Sequence, residues 1–293
     1  MVMDQAATLR CMNEDISSFP GTSGRTPTRV ISVTSGKGGV GKTNTVVNLA
    51  VSFARMGKRV LLLDADLGLG NLDVLLGLAP RYNIGHLLRG EKTIEEVIVR
   101  GPEGIMILPA SSGVQELTSL GVQERLALAS HLESLDLDVD IMFIDTGAGI
   151  SSNVLFFNMA AQDIVVVATP EPTSITDAYA LMKVMFHKHG ERNFRLLVNS
   201  VKSRKEAHEV YSKISQAAER FLGISVDFLG YVFHDENLPR SVIRQMAVTE
   251  LYPSSRASIC YGELARELDA LPARTGIKGG MQFFWRQFLT RKF

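Results

Sequence analysis

Short apolar runs alternate with stretches of helical periodicity between residues 28 and 272. Seven runs are almost wholly apolar, as expected for parallel strands buried on both faces. They lie at Val30–Thr34, Val60–Asp64, Ile105–Leu108, Ile141–Asp145, Ile164–Ala168, Phe194–Asn199 and Val226–Val232. Helices are predicted at Thr43–Met56, Gln123–Ser134, Ser174–His187 and Glu206–Phe221. The alternation predicts an α/β fold: a doubly wound, mostly parallel sheet with helices on both faces.

Two segments flank this predicted domain of residues 28–272. Residues 17–27 are rich in Ser, Gly and Pro and are predicted to be a flexible linker, so residues 1–27 are expected to form a flexible N-terminal segment in which residues 1–16 are tethered to the domain. Residues 273–293 are predicted to form a linker, with Gly279 and Gly280, followed by an amphipathic helix.

The composition narrows the function classes. The chain has 293 residues, with 31 Lys and Arg against 31 Asp and Glu, so its net charge is zero. A neutral chain shows no basic surface, and no direct nucleic-acid partner is expected. Cys11 and Cys260 have neither disulfide nor metal-site spacing, which favours a reducing cytoplasm. No signal peptide and no uninterrupted 18-residue apolar run are present, so a cytoplasmic location is predicted.

A phosphate-binding loop follows the first predicted strand. Gly36–Thr43 matches the pattern Gly-x-x-x-x-Gly-Lys-Thr, although a chance glycine-rich turn is the alternative. Glycines let successive backbone N–H groups surround phosphate oxygens, and the following helix adds the positive end of its dipole. Lys42 is expected to reach the β- and γ-phosphates, and Thr43 to hold Mg²⁺. The nucleotide-binding residues predicted here are Gly36, Lys37, Gly38, Gly39, Val40, Gly41, Lys42, Thr43 and Asn44.

The second lysine of the loop, Lys37, resembles the deviant Walker A lysine of the MinD/ParA family of P-loop ATPases. That resemblance implies an ATPase with ATP and Mg²⁺ as cofactors, and a homodimer that forms with ATP. In such a dimer Lys37 reaches the phosphates of the partner subunit. Lys37, Lys42 and Asp66 are then the predicted catalytic residues.

Acidic residues follow two of the predicted strands. Asp64-Ala65-Asp66 resembles the first switch segment of the family, in which the second aspartate positions or activates the attacking water. The resemblance gives that role to Asp66 and places Asp145 in the magnesium shell, so the predicted metal residues are Thr43, Asp66 and Asp145. Asp64 is equally compatible with capping the turn that follows it.

The base is assigned from two later segments. Phe194–Asn199 is not followed by the Asn-Lys-x-Asp pattern of many GTPases, so ATP is favoured over GTP. Asn199 resembles the amide with which the family contacts adenine, and Phe233 lies in the segment that corresponds to the second adenine-contacting loop.

The N-terminal segment reads Asp4-Gln5-Ala6-Ala7-Thr8-Leu9-Arg10. It resembles a motif of the FlhG (FleN) family of flagellar number regulators, in which this segment stimulates the GTPase FlhF. The resemblance makes Asp4, Gln5, Leu9 and Arg10 the partner-activating residues, with Gln5 entering the GTPase site. Chance similarity in a disordered tail is the alternative. Further partners implied are flagellar switch-ring proteins or a flagellar transcription regulator.

The C-terminal segment has an aromatic face. On a helical wheel five residues fall within an arc of about 140°. They are Met281, Phe284, Trp285, Phe288 and Leu289. This stripe resembles the membrane-targeting helix of MinD, which places the ATP-bound protein on the inner face of the cell membrane. Docking onto the domain or onto a partner is the alternative.

The resemblances together predict an ATP-dependent switch that controls flagellar number or placement. Three alternatives within the same superfamily remain: a MinD-type division-site regulator, a ParA-type DNA-segregation ATPase, and an iron–sulfur protein, which would need two interface cysteines. A non-hydrolysing scaffold is a fourth alternative from another class.

Overall fold

The computed structural model describes residues 28–68, 70–110, 120–133 and 138–272. The predictions for the N-terminal segment of residues 1–27 and for the C-terminal segment of residues 273–293 lie outside these ranges. Within them, no helix has the length and apolar character needed to cross a membrane.

Eight strands in the described ranges form one sheet, which confirms the predicted fold class. They are β1 Arg29–Ser35, β2 Val60–Ala65, β3 Val99–Arg100, β4 Met106–Leu108, β5 Ile141–Ala148, β6 Asp163–Ala168, β7 Phe194–Val201 and β8 Val226–Phe233. Their order is β3-β4-β2-β5-β1-β6-β7-β8, and only β3, next to β4, pairs antiparallel among them. The phosphate loop and the acidic residues therefore lie together at one edge of the sheet, the edge formed by the carboxyl ends of β1, β2 and β5.

Helices cover both faces of the sheet. They are α1 Lys42–Arg55, α2 Leu72–Leu75, α3 Ile84–Leu88, α4 Ile94–Val97, α5 Val122–Glu133, α6 Ser152–Ala160, α7 Pro172–His189, α8 Arg204–Leu222, α9 Asn237–Ile243, α10 Val248–Leu251 and α11 Arg256–Ala270. Helices α1, α10 and α11 pack on one face, around Phe53, Phe143 and Tyr261. Helices α5 to α8 pack on the other face, around Phe156, Phe157 and Phe194.

The end of the sheet opposite the phosphate loop is fixed by buried charges. Arg29 and Arg195 both bind the fully buried carboxylate of Asp163, at 2.8 and 3.1 Å. Arg29 also donates to the carbonyl oxygens of Leu268 and Leu271, at 2.5 and 3.1 Å, which satisfies acceptors left free at the end of α11. The start of β1 and the end of the last described helix are therefore joined.

Candidate functional site

The phosphate loop connects β1 to α1 in the predicted position. Gly39 and Gly41 have φ of 77° and 89°, a left-handed conformation that favours glycine. A Cβ built on Gly38 or Gly39 would meet no atom within 4 Å, so the outer part of the loop is open. The first turn of α1 carries no acidic residue, and its positive end is not neutralised there. The loop is thus shaped and charged to receive an anion.

Contacts with neighbouring segments hold the base of the loop. The Ser35 hydroxyl donates to the Lys37 carbonyl at 2.7 Å, and the Gly149 N–H donates to the Ser35 carbonyl at 2.9 Å. Gly36 lies so close to the backbone of Asp177 on α7 that a side chain there would collide with it. The sequence Gly-x-x-x-x-Gly therefore also reflects packing against α7.

Lys37 and Lys42 occupy different environments. Lys42, the first residue of α1, is buried. Lys37 is partly exposed, and its ammonium contacts the Glu171 carboxylate at 2.5 Å and the Thr173 hydroxyl at 2.9 Å. Glu171 and Thr173, at the start of α7, were not among the predicted site residues, because the sequence gives no signal for a contact across 134 positions. In this conformation Lys37 points to its own chain.

Two carboxylates face each other at the ends of neighbouring strands. Asp64 of β2 and Asp145 of β5 are paired in register, and both are buried. Burial raises the pKa of Asp145 to about 6; the Thr43 hydroxyl and Lys42 lower it, whereas the negative charge of Asp66 raises it. Burial and the charge of Asp145 likewise hold the pKa of Asp64 well above its usual range.

Asp64 also has a structural role. Its carboxylate accepts the backbone N–H groups of Asp66 and Leu72, at 3.2 and 3.3 Å, and so caps the turn that follows β2. Asp66 itself is half-buried and lies beside Gly147, in the loop after β5. The cap therefore places Asp66 next to the segment that follows Asp145.

The residues at this edge fit a hard divalent cation. The Thr43 hydroxyl lies beside Asp145 and lowers the pKa of that carboxyl, yet one of the buried carboxylate oxygens has no hydrogen-bond partner. A buried carboxylate oxygen that accepts no hydrogen bond is available to coordinate a cation. No cluster of three His, Cys, Asp or Glu side chains suited to a metal occurs in the described ranges. Magnesium needs few protein ligands, since it retains water and binds phosphate oxygens.

The predicted base-contacting residues lie near the ends of two neighbouring strands but make different contacts. Asn199 is buried at the end of β7, and its side-chain N–H donates to the Val40 carbonyl of the phosphate loop at 2.8 Å. Phe233 ends β8, where its half-buried ring lies under the Arg256 guanidinium, 4.1 Å from the ring centroid. Asn199 is thus part of the loop's surroundings, whereas Phe233 packs with α11.

Both the sequence and the fold of this chain resemble those of known proteins. The family described as AAA domain matches residues 28–196. The antiactivator FleN of Pseudomonas aeruginosa is 41% identical over 258 residues, covering 88% of this chain and 92% of that protein. The flagellum site-determining protein YlxH of Helicobacter pylori is 33% identical over 265 residues, covering 88% and 89%.

Among solved structures, the septum site-determining protein MinD of Pyrococcus horikoshii, complexed with Mg-ADP, aligns with a TM-score of 0.68. That alignment has 25% identity and covers 83% of this chain and 96% of the MinD chain. The loop, the acidic strand ends and these similarities lead to one conclusion: the chain belongs to the MinD/ParA family of P-loop ATPases.

Proposed function

We propose that this protein is an ATP-hydrolysing switch that regulates the number or placement of flagella. The observation that carries the ATPase part is the buried Asp145 carboxylate beside Thr43 and the glycine loop, with one carboxylate oxygen left for a cation. The flagellar part is supported by the similarity to YlxH, which is named as a flagellum site-determining protein, and to the antiactivator FleN, whose family the N-terminal motif resembles.

The residues would divide the work as follows. Loop N–H groups and Lys42 bind the β- and γ-phosphates, and Thr43 and Asp145 hold Mg²⁺. When bound, magnesium would supply charge neutralisation at the terminal phosphate. Asp66, half-buried beside Gly147, would position the attacking water and help to hold the ion. Lys37 would leave Glu171 and Thr173 to reach the phosphates of the partner subunit when two copies join.

Asp66→Ala tests this assignment. The variant should bind ATP with little change, because the phosphate contacts remain, but should lose most hydrolysis and persist as a dimer. Phosphate release with Mg²⁺ or EDTA measures turnover, and size-exclusion chromatography in ATP measures the dimer. Asp73→Ala, at a partly exposed carboxylate seven residues later, is the matched control. Wild-type turnover by Asp66→Ala would remove Asp66 from the chemistry.

The finer part of the proposal concerns a GTPase partner. Residues 1–16 would stimulate FlhF, with the Gln5 amide orienting the attacking water and Asp4, Leu9 and Arg10 docking the segment. The 17–27 linker makes the segment an independent module, so it should act as a peptide.

The peptide of residues 1–16 should therefore accelerate GTP hydrolysis by purified FlhF. Gln5→Ala should remove most of the acceleration with little loss of binding, whereas Leu9→Ala should chiefly weaken binding, because only the first change removes the amide. Stimulated turnover at saturating peptide separates the two effects. Equal stimulation by the Gln5→Ala peptide would leave this segment a docking role only.

A division-site regulator is the second candidate, because the structure aligns with MinD. Deleting the gene in its host distinguishes the two. Altered flagellar number or position with normal septa supports the proposal, whereas misplaced septa with normal flagella supports the alternative.

A further inference from the structure

Asn199 makes one contact that the predicted adenine role does not explain. Its side-chain Nδ2 donates to the backbone carbonyl of Val40 at 2.8 Å, across 159 positions of sequence. Asn199 is 8% exposed and Val40 is 3% exposed, so the bond is shielded from water. Loss of the amide would leave a buried carbonyl without this donor, which costs more than loss of an exposed hydrogen bond.

Gly41, the next residue of the loop, lies directly against the same Asn199 amide. Gly41 has a φ of 89°, and a Cβ built there would overlap the Asn199 amide nitrogen. The amide therefore fills the space that the missing side chain leaves. Asn199 and Gly41 form a close contact between β7 and the start of α1.

This contact sets the direction of one peptide group. In a planar trans peptide the C=O and N–H point in opposite directions. Because the Val40 carbonyl points to Asn199, the N–H of Gly41 points away from β7. Phosphate loops bind their ligand through such N–H groups, and Lys42 and Thr43 follow immediately. The orientation of the Val40–Gly41 peptide thus bears on the phosphate site.

Strand β7 holds Asn199 in place for this contact. Alternation puts Asn199 on the same face as Leu197, which belongs to the core cluster beneath α1. After Asn199 the pairing with β8 shifts register, and Ser200 has a φ of 59° while its hydroxyl contacts the His234 ring nitrogen at 3.1 Å. A strand irregularity at this point re-aims the residues beside it.

We infer that Asn199 is a positioning residue for the phosphate loop: its N–H clamps the Val40 carbonyl and orients the Gly41 N–H toward bound phosphate. The inference rests on the proposed nucleotide-binding function and assigns Asn199 a role toward the phosphates, beyond a contact with the base. If it holds, loss of the Asn199 amide weakens the binding of phosphate ligands with a base and of those without one to the same extent.

Binding of ADP and of inorganic pyrophosphate, each with Mg²⁺, provides the test. Pyrophosphate has the phosphates but no base, and its affinity is measured by displacement of a fluorescent ADP. Asn199→Ala should weaken both ligands by a similar factor of about tenfold, the size expected when one hydrogen bond from the loop to a charged phosphate is lost. It should also lower kcat for ATP hydrolysis, because the loop is misaligned in the bound state.

Two further variants complete the experiment. Asn199→Asp keeps the size but replaces the donor by a carboxylate, so it should weaken pyrophosphate at least as much as Asn199→Ala, and it substitutes if the Ala variant does not fold. Asn193→Ala, an exposed amide just before β7, removes the same group elsewhere and should leave both affinities unchanged. Thermal melting of each metal-free variant reports its folding.

The outcomes are distinct. Weaker ADP binding with unchanged pyrophosphate binding and unchanged kcat would overturn the inference and leave Asn199 as a base contact. Failure of the unsubstituted protein to bind ADP would overturn the proposed function, and the inference with it.

Discussion

At the scale of single residues, the site is defined by charges that are buried before any ligand arrives. Asp64 and Asp145 are paired in register and raise each other's free energy when both are ionised. A cation and the N–H groups of the loop would offset this cost. The same arrangement that destabilises the empty site therefore favours the metal-bound one.

The raised pKa of Asp145 predicts the pH dependence of stability for Asp145→Asn. The pKa of Asp145 is about 6 when folded against an ordinary value of 3.8, so the folded state holds its proton more tightly. Stability from this group is present below pH 4 and is lost as pH rises through 6. The metal-free variant should thus exceed wild type by about 1 to 3 kcal/mol at pH 7.5, with the difference vanishing near pH 4.

Urea unfolding in EDTA at both pH values measures the difference, and Asp140→Asn, at the residue just before β5, is the control. The Asp140 carboxylate is bonded to Arg59 and its pKa is lowered, so that substitution should destabilise at pH 7.5. An Asp145→Asn variant no more stable than wild type at pH 7.5 would contradict the assigned pKa.

Lys37 is expected to act on the phosphates of a partner subunit. Lys37→Ala should abolish ATP-dependent dimerisation and hydrolysis while leaving nucleotide binding largely intact, because the ammonium would act on the partner's phosphates and not on its own. Sedimentation with ATP measures dimerisation. Lys188→Ala removes a positive charge from the exposed far end of α7 and should change neither property. Normal dimerisation and turnover by Lys37→Ala would exclude Lys37 from the mechanism.

At the scale of elements, the sequence predicts those strands and helices that have a clear apolar pattern or follow a glycine-rich loop. Seven apolar strands, the helix after the glycine loop and the acidic strand ends were all placed correctly. Helix α6 was missed because eight of its nine residues are buried, so it has no polar face to reveal a helical period. Strand β3 was missed because it has two residues. Helix α7 begins two residues before the prediction, at Pro172, a residue favoured in the first turn.

Helix α11, in contrast, has an apolar pattern that is typical of a helix. In α11 the buried residues Tyr261, Leu264, Ala265 and Leu268 recur at helical spacing. By contrast, no local pattern could show that Asn199 would meet Val40 or that Lys37 would meet Glu171. Those contacts depend on sheet order, which brings distant strand ends together. The sequence therefore predicts at which strand ends the candidate site lies, but not which distant residues its side chains contact.

At the scale of the whole molecule, the two ends of the described domain lie together. Arg29, at the start of β1, is bonded to the carbonyls of Leu268 and Leu271 at the end of α11. Leu271, close to where the described domain ends, thus lies at the end of β1 remote from the phosphate loop.

Deleting residues 281–293 should then abolish binding to anionic liposomes while leaving the ATPase domain folded. The deletion removes the aromatic stripe, with Arg286 and Arg291 beside it, but keeps the Arg29 contacts that fix α11. For the full chain, co-sedimentation should be stronger with ATP than with ADP, because a dimer presents two weak segments at once.

Replacing Phe284 and Trp285 by Ala within the full chain is the milder variant, and it should lower liposome binding without changing the melting temperature. The exposed pair Ile243 and Ile259, changed to Ala, is the matched control, since it removes apolar surface from the domain itself. Unchanged liposome binding after the deletion would assign the membrane contact to another surface. Unfolding of the deleted protein would instead show that residues 281–293 stabilise the domain, because a free membrane segment contributes nothing to its core.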